Sequence, residues 1–285
     1  MDDIVLRTQN LTYTYSKGLP NEKTVLKNLN IAIERGEFLG IIGHTGSGKS
    51  TLIQHLNGLF TPTEGHVYLD EKDIFEDKSK LRDVRFSVGL VFQYPEYQLF
   101  EETVYKDVAF GPKNMGLDEE TIDEKVKSAI RFVGLSEDIL EESPFELSGG
   151  QKRRVAIAGV IAMDPKVLIL DEPAAGLDPL GRAEILSQIK EYHKLHGGTV
   201  IIVSHSMEDI ARYATKVLVL NEGELYAYDK VENIFMLSEE LEKMGLAIPV
   251  ATRIMIQIGK KGYDVSQSVF TAEEAVESLL PLLRK

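Results

Sequence analysis

The sequence contains no cysteine, which excludes a disulfide framework and any thiolate metal site. It also lacks a long apolar stretch: the longest run, Val155 to Met163, falls well short of the ~20 residues that span a bilayer. The opening Met-Asp-Asp has no basic n-region of the kind a secretory signal carries. Positive charge is scarce, with 32 Lys and Arg against 45 Asp and Glu and a formal net charge of −13. That balance argues against a nucleic-acid partner, which calls for a basic face, and against direct adhesion to anionic lipid. The expectation is a soluble cytoplasmic protein, held at a membrane, if at all, by a protein partner. At 285 residues and 43% hydrophobic content, the chain has material for one large domain and a smaller appendage.

What is present begins with Gly43-His44-Thr45-Gly46-Ser47-Gly48-Lys49-Ser50, followed by Thr51. This is the spacing of a phosphate-binding P-loop. Apolar Phe38 to Ile42 feeds the loop as a strand, and Leu52, Ile53 and Leu56 leave it at helical spacing. Glycines let backbone N–H groups approach phosphate oxygens, and the helix start adds partial positive charge. Lys49 is expected to reach the β- and γ-phosphates, and the Ser50 hydroxyl to ligate Mg²⁺. The chain is therefore expected to bind a nucleoside triphosphate.

Upstream, Ile4 to Tyr15 and Val25 to Ile33 read as strands flanking a turn, and His66 to Leu69 as another. An antiparallel sheet beside a parallel one is expected. Either Tyr13 or Tyr15 offers a ring for an adenine to stack on, the alternative being a ring facing the core. Val88 to Phe92 is a buried strand ending at Gln93. From about 94 to 150 the pattern turns helical: Thr103 to Phe110, then Glu119 to Val133 with Gly134 as C-cap, punctuated by Gly111-Pro112. This block reads as a helical insert in an α/β core.

Leu147-Ser148-Gly149-Gly150-Gln151 opens a further helix with Ser148 as N-cap. Lys152, Arg153 and Arg154 then occupy a first turn where the helix dipole disfavours cations. An anion held near Ser148 to Gly150 would relieve that repulsion; the alternative is a solvated basic face. Val167 to Leu170 is an unbroken apolar run, as in a strand buried on both faces. Asp171 and Glu172 follow at its C-terminal end, the edge where open α/β sheets bind ligands. Asp171 is expected to orient Mg²⁺, and Glu172 to polarise a water toward the γ-phosphate. Asp178-Pro179 starts a helix to about Leu195. Thr199 to Val203 is the next buried strand, and His205 emerges beyond it at the same edge, placed to contact the γ-phosphate. A closing hairpin spans Val217 to Tyr228. Beyond Lys230, amphipathic helices over Ile234–Met244, Val250–Ile258 and Ala272–Leu283 read as an interaction domain, giving a division into 1–228 and 229–285.

Taken together, Gly43 to Thr51, Gln93, Leu147 to Gln151, Val167 to Glu172, Ala175 to Asp178 and His205 resemble the ATP-binding-cassette (ABC) ATPases over about Ile4 to Tyr228. The resemblance implies the P-loop ABC ATPase fold, a parallel sheet with an antiparallel β layer, a helical subdomain at about 94–150 and a small C-terminal domain. It implies a head-to-tail pair of cassettes with two ATP molecules. Each lies between one chain's P-loop and the partner's Ser148 to Gln151. By the same likeness Tyr15 is the adenine-stacking aromatic, Gln93 senses Mg²⁺ and the transport partner, Asp178 joins the nucleotide site, and Lys49, Glu172 and His205 are catalytic.

Narrower motifs are Gln93-Tyr-Pro-Glu-Tyr-Gln-Leu-Phe100, Val108-Ala-Phe-Gly-Pro112, Ser143-Pro-Phe-Glu-Leu-Ser148 and His205-Ser-Met-Glu-Asp209. These are similar to energy-coupling-factor transporters, importers of vitamins or transition-metal ions, and to the second of their paired ATPases. The family pattern implies ATP and Mg²⁺, a related second ATPase chain, a transmembrane coupling protein and a membrane substrate-capture protein. It places the chain on the cytoplasmic face of the cell membrane. Ala174 departs from the threonine common there. Glu96, Glu101 and Glu102 are expected to receive arginine from the membrane partner. Rival readings are a conventional importer ATPase, against which the Gln93–Pro112 stretch argues, and a soluble repair or ribosomal cassette ATPase. A small-molecule kinase would have no use for Leu147 to Gln151.

Overall fold

The computed structural model describes residues 3–266 and 269–283. Strands β1 (Ile4–Tyr15) and β2 (Lys23–Glu34) form a long antiparallel hairpin, followed by β3 (Phe38–Ile42) and helix α1 (Lys49–Leu56). Next come β4 (Glu64–Leu69), β5 (Lys72–Asp73), α2 (Leu81–Ser87) and β6 (Val88–Val91). The helical insert contributes α3 (Val104–Asn114) and α4 (Glu119–Phe132), and α5 (Gly149–Ile161) returns to the sheet at β7 (Val167–Asp171). Then α6 (Pro179–His196), β8 (Thr199–Val203), α7 (Met207–Tyr213), β9 (Lys216–Asn221) and β10 (Glu224–Lys230) complete the α/β core. Four further helices follow: α8 (Val231–Met236), α9 (Ser238–Lys243), α10 (Val250–Lys260) and α11 (Ala272–Leu283).

Two sheets result, one four-stranded in the order β2-β1-β4-β5 and one six-stranded in the order β10-β9-β3-β8-β7-β6. In the larger sheet β3, β6, β7, β8 and β9 run parallel, and β10 closes it antiparallel to β9. The central strands are apolar from Phe38 to Ile42, Val167 to Leu170 and Val200 to Val203 because both faces are covered. Leu168, Leu170, Val200 and Ile202 face the core under the helices, whereas Val167, Ile169, Ile201 and Val203 face the core beneath the antiparallel sheet.

Two helix boundaries differ from expectation. Gly111-Pro112 does not separate two helices, because α3 runs on to Asn114. Pro112 sits in its last turn, where the bond to the Val108 carbonyl is lost and the helix ends two residues later. The break comes at Gly116, whose φ of 78° only glycine adopts freely. The Ile234–Met244 helix is two helices meeting at Leu237, whose ψ of 36° leaves the helical region. The bend lets Phe235 and Leu241, both fully buried, reach the same core.

Phe235, Ile234, Val231, Leu241, Leu246 and Ile248 belong to the core shared with α3 to α7, whereas Ala251, Met255, Val269 and Ala275 form a separate small cluster between α10 and α11. Replacing Phe235 by Ala should therefore lower the stability of the whole cassette by about 3–5 kcal/mol. Calorimetry would show the main unfolding transition moving; movement of a minor transition alone would mean that α8 is a detached element.

Candidate active site

The loop from Gly43 to Gly48 sits between β3 and α1 and is closed by backbone bonds from Ser47 N–H to His44 O (3.1 Å) and from Gly223 N–H to Ser47 O (3.1 Å). A side chain at Gly43 would run into the Ser47 hydroxyl and the Leu220 carbonyl, and one at Gly48 into Leu26 and the Val25 carbonyl. Glycine is required at both positions by packing as well as by φ. Thr45 and Gly46 are exposed at the loop tip, and the His44 ring contacts the Thr45 carbonyl at 2.8 Å. The Lys49 ammonium is buried and donates to the Gly43 carbonyl (2.7 Å) and the His44 carbonyl (3.1 Å). The Ser47 hydroxyl is buried without a hydrogen-bond partner. A cradle with a buried cation and an orphaned hydroxyl fits a polyphosphate.

At the facing edge of the sheet, Asp171 ends β7 and Glu172 follows with φ of 50°. Its N–H donates to the Val203 carbonyl at 3.0 Å, which pins it beside the end of β8. The Ser50 hydroxyl lies by the Asp171 carboxylate and favours its charged form. Ser50 and Asp171 thus present hard oxygen ligands side by side, as Mg²⁺ takes them next to phosphate and water. Burial pushes the Asp171 carboxyl above its usual range, opposed by the Ser50 hydroxyl and the nearby Lys49 charge. Burial, then the charge of Asp171, pushes Glu172 up to about 7, a value suited to a general base at neutral pH. Glu172 Oε1 is buried with no hydrogen-bond partner, and His205 Nε2 stands 3.5 Å from it. Burial and the Lys49 charge lower the His205 pKa, against the charge of Asp171.

One cluster therefore contains Lys49, Ser50, Asp171, Glu172 and His205. Beside it, the Tyr15 hydroxyl meets Thr51 Oγ1 at 3.2 Å, which ties that ring to the start of α1. Tyr13 is stacked on Phe60 (5.5 Å between centroids, 9° between planes) and packs against His55, while Tyr15 keeps 36% of its surface exposed. Gln93 is exposed just beyond β6 and makes no hydrogen bond among the described residues. Asp178 is exposed and caps α6 through the Gly181 N–H at 2.7 Å. Ser148 and Gln151 form a capping box at the start of α5, and the space around Gly149 and Gly150 is open. Among the described residues no hydrogen bond or ion pair joins Ser148–Gln151 to the P-loop, Asp171 or Glu172.

Arginine neutralisation differs from the sequence expectation. Arg153 pairs with Glu96 (2.9 Å) and Arg154 with Glu184, so two of the three cations near the start of α5 are offset by the chain's own carboxylates. Glu96 is consequently not free for an arginine of another protein, and Glu102 is paired with Lys106. Sequence reasoning also passed over Arg182, which lies one turn after the Asp178 cap and binds Asp209 at 2.6 Å. Arg182, Glu208, Asp209, His205 and Glu172 line a cleft of about 600 Å³.

The family profile of the ABC transporter matches residues 26–175. The energy-coupling factor transporter ATP-binding protein EcfA2 of Clostridium perfringens is 54% identical over 280 residues, 98% of each chain. That of Clostridium acetobutylicum is 55% identical over 279 residues, again 98% of each. The chain belongs to this family of energy-coupling factor ATP-binding proteins. Among solved structures, cbiO1 of Clostridium perfringens, part of the ABC transporter complex cbiONQ, superposes with a TM-score of 0.74. It is 41% identical and the match covers 85% of this chain and 94% of that one. The dimeric ATP-binding cassette MJ0796 with bound ADP and phosphate gives 0.72 at 31% identity, over 79% and 98%. The fold is thus that of the ABC ATPases, and the energy-coupling factor ATPases use ATP with Mg²⁺.

The raised Glu172 pKa has a stability consequence. The unfolded carboxyl ionises near 4.5 and the folded one near 7. Folding therefore loses stability as pH rises between those values, and the full cost is present above 7. Glu172→Gln should raise the melting temperature at pH 8 by roughly 2–4 °C, for about 1 kcal/mol after solvent screening, and by less at pH 5. Thermal melts of the nucleotide-free protein check this; equal shifts at both pH values would mean an unperturbed carboxyl.

Proposed function

We propose that this chain is the ATP-hydrolysing subunit of an energy-coupling factor importer. It works at the cytoplasmic face of the membrane, paired head-to-tail with a related ATPase and docked on a transmembrane coupling protein that acts with a substrate-capture protein. The observation that carries the reading is the cluster at one sheet edge: a buried Lys49, a Ser50–Asp171 pair and a Glu172 carboxylate with an unpartnered oxygen. Such a cluster is suited to holding a triphosphate and activating a water. Among the described residues no helix is long and apolar enough to cross a membrane, so membrane-spanning partners supply the path for the transported substrate.

In this reading the adenine stacks on the exposed face of Tyr15. The backbone N–H groups from His44 to Ser50, with Thr51 and the Lys49 ammonium, hold the phosphates. Ser50, Asp171 and Gln93 hold Mg²⁺, which neutralises charge on the phosphate oxygens when bound. Glu172 accepts the proton of the attacking water, and His205, whose Nε2 stands 3.5 Å from Oε1, contacts the γ-phosphate. Ser148 to Gln151 and Asp178 face the partner chain, where the open surface at Gly149 and Gly150 admits the partner's nucleotide. The cassette spans 1–228 with a helical subdomain at about 94–150. The segment 229–285 stabilises the dimer; its α8 and α9 pack into the cassette core, and a separate apolar cluster lies between α10 and α11.

Affinity purification of the tagged chain from detergent-solubilised native membranes tests this. A second cassette ATPase and two small membrane proteins should co-purify in fixed ratio. Recovery in the soluble fraction alone, with ribosomes or with no partner, would leave an ATPase and remove the importer.

A further inference from the structure

Arg153, the fifth residue of α5, is 3% exposed although it carries a charge. Its guanidinium forks onto Glu96, from Nε to Oε2 at 3.1 Å and from Nη2 to Oε1 at 2.9 Å. Nη1 donates to the carbonyl of Ala175 and, at 3.4 Å, to that of Pro173. The Tyr94 ring centre lies 5.9 Å from its central carbon. One side chain therefore touches three segments, each next to a residue of the nucleotide chemistry. Tyr94 and Glu96 follow Gln93, and Tyr94 carries the turn out of the sheet with φ of 56°. Pro173 directly follows Glu172, and the Ala175 N–H donates to the Glu172 carbonyl at 3.1 Å. The third segment is α5 itself, five residues beyond its Ser148 cap. The ladder between β6 and β7 ends with Val91 opposite Leu170; past that point the Arg153 side chain bridges the two segments.

We propose that Arg153 is a positioning residue that makes the segment after Gln93, the start of α5 and the loop carrying Glu172 move as one body. A displacement of 93–98 by a docked partner then reaches the Glu172 carboxylate through the Glu96 fork and the Pro173 and Ala175 carbonyls. A planar five-donor guanidinium serves three acceptor groups at fixed angles, which an ammonium does not. The inference rests on the reading of Glu172 as the base and of 93–100 as the partner-facing segment.

The test uses the complete membrane-embedded assembly with two variants. Arg153→Lys keeps the charge and loses the fork. The double variant Glu96→Gln with Arg153→Gln removes both charges and leaves no buried ion unpaired. The double variant should melt close to the wild type and keep its KM for ATP within about two-fold, yet lose about ten-fold or more in kcat. Arg153→Lys should likewise lose kcat without a matching rise in KM. Recovery of wild-type kcat along with wild-type melting in the double variant would make Arg153 a purely structural pair. A change in KM that tracks melting in both variants would overturn the proposal as well. Glu172→Gln serves as the control: if it turns over ATP near the wild-type rate, the base assignment fails, whatever the Arg153 variants do.

Discussion

The site depends on confining one cation and two carboxylates at the C-terminal edge of a parallel sheet. Lys49, Asp171 and Glu172 shift one another's protonation: burial lowers the lysine pKa, and the two carboxylates restore part of it. Neither carboxylate is comfortable, since burial raises both. Glu172 additionally holds a left-handed backbone, a strained conformation for a non-glycine residue. Such an arrangement persists because β7 and β8 are fixed on both faces by packed cores. Rigid strands hold the charges close, and the charges in turn provide a place for phosphate, metal and water.

The same architecture explains how the cluster communicates outward. β6, β7 and β8 end side by side, so Gln93, Glu172 and His205 leave the sheet at one edge. The helical insert attaches on either side of this edge, through the segment after β6 and through α5. Arg153 lies where these attachments meet the loop that follows Glu172. Another ion pair, Arg182 with Asp209, ties α6 to α7 at the rim of the cleft. Strength in the sheet and long-range ion pairs at its edge thus divide the work between holding the chemistry and linking it to partners.

Much of this was legible in the sequence because its signals are local. Phe38 to Leu56 announces strand, loop and helix through apolar runs and glycine spacing, and Asp178-Pro179 announces a helix start. Ser148 announces a helix N-cap. What was not legible is non-local. Glu96 and Arg153 are separated by 57 residues, and nothing in either segment alone names the other. Arg153 and Arg154 near the start of α5 looked like a demand for an outside anion because their carboxylates lie far off in the chain. Pro112 looked like a helix break, yet it falls in the last turn of α3, two residues before its end. Phe235 looked like part of an appendage, since amphipathic spacing tells that a face is buried but not against what. The raised pKa of Glu172 arises from tertiary burial, which no motif encodes.

The central claim is that each ATP is completed by two chains, with Lys49 of one and Ser148 to Gln151 of the other on the same nucleotide. Photolabelling with azido-ATP of the heteropair carrying Ser148→Arg in this chain tests it most directly. Trapped label should be lost from the partner ATPase and retained on this chain's own P-loop. Loss from this chain with retention on the partner would contradict the shared site.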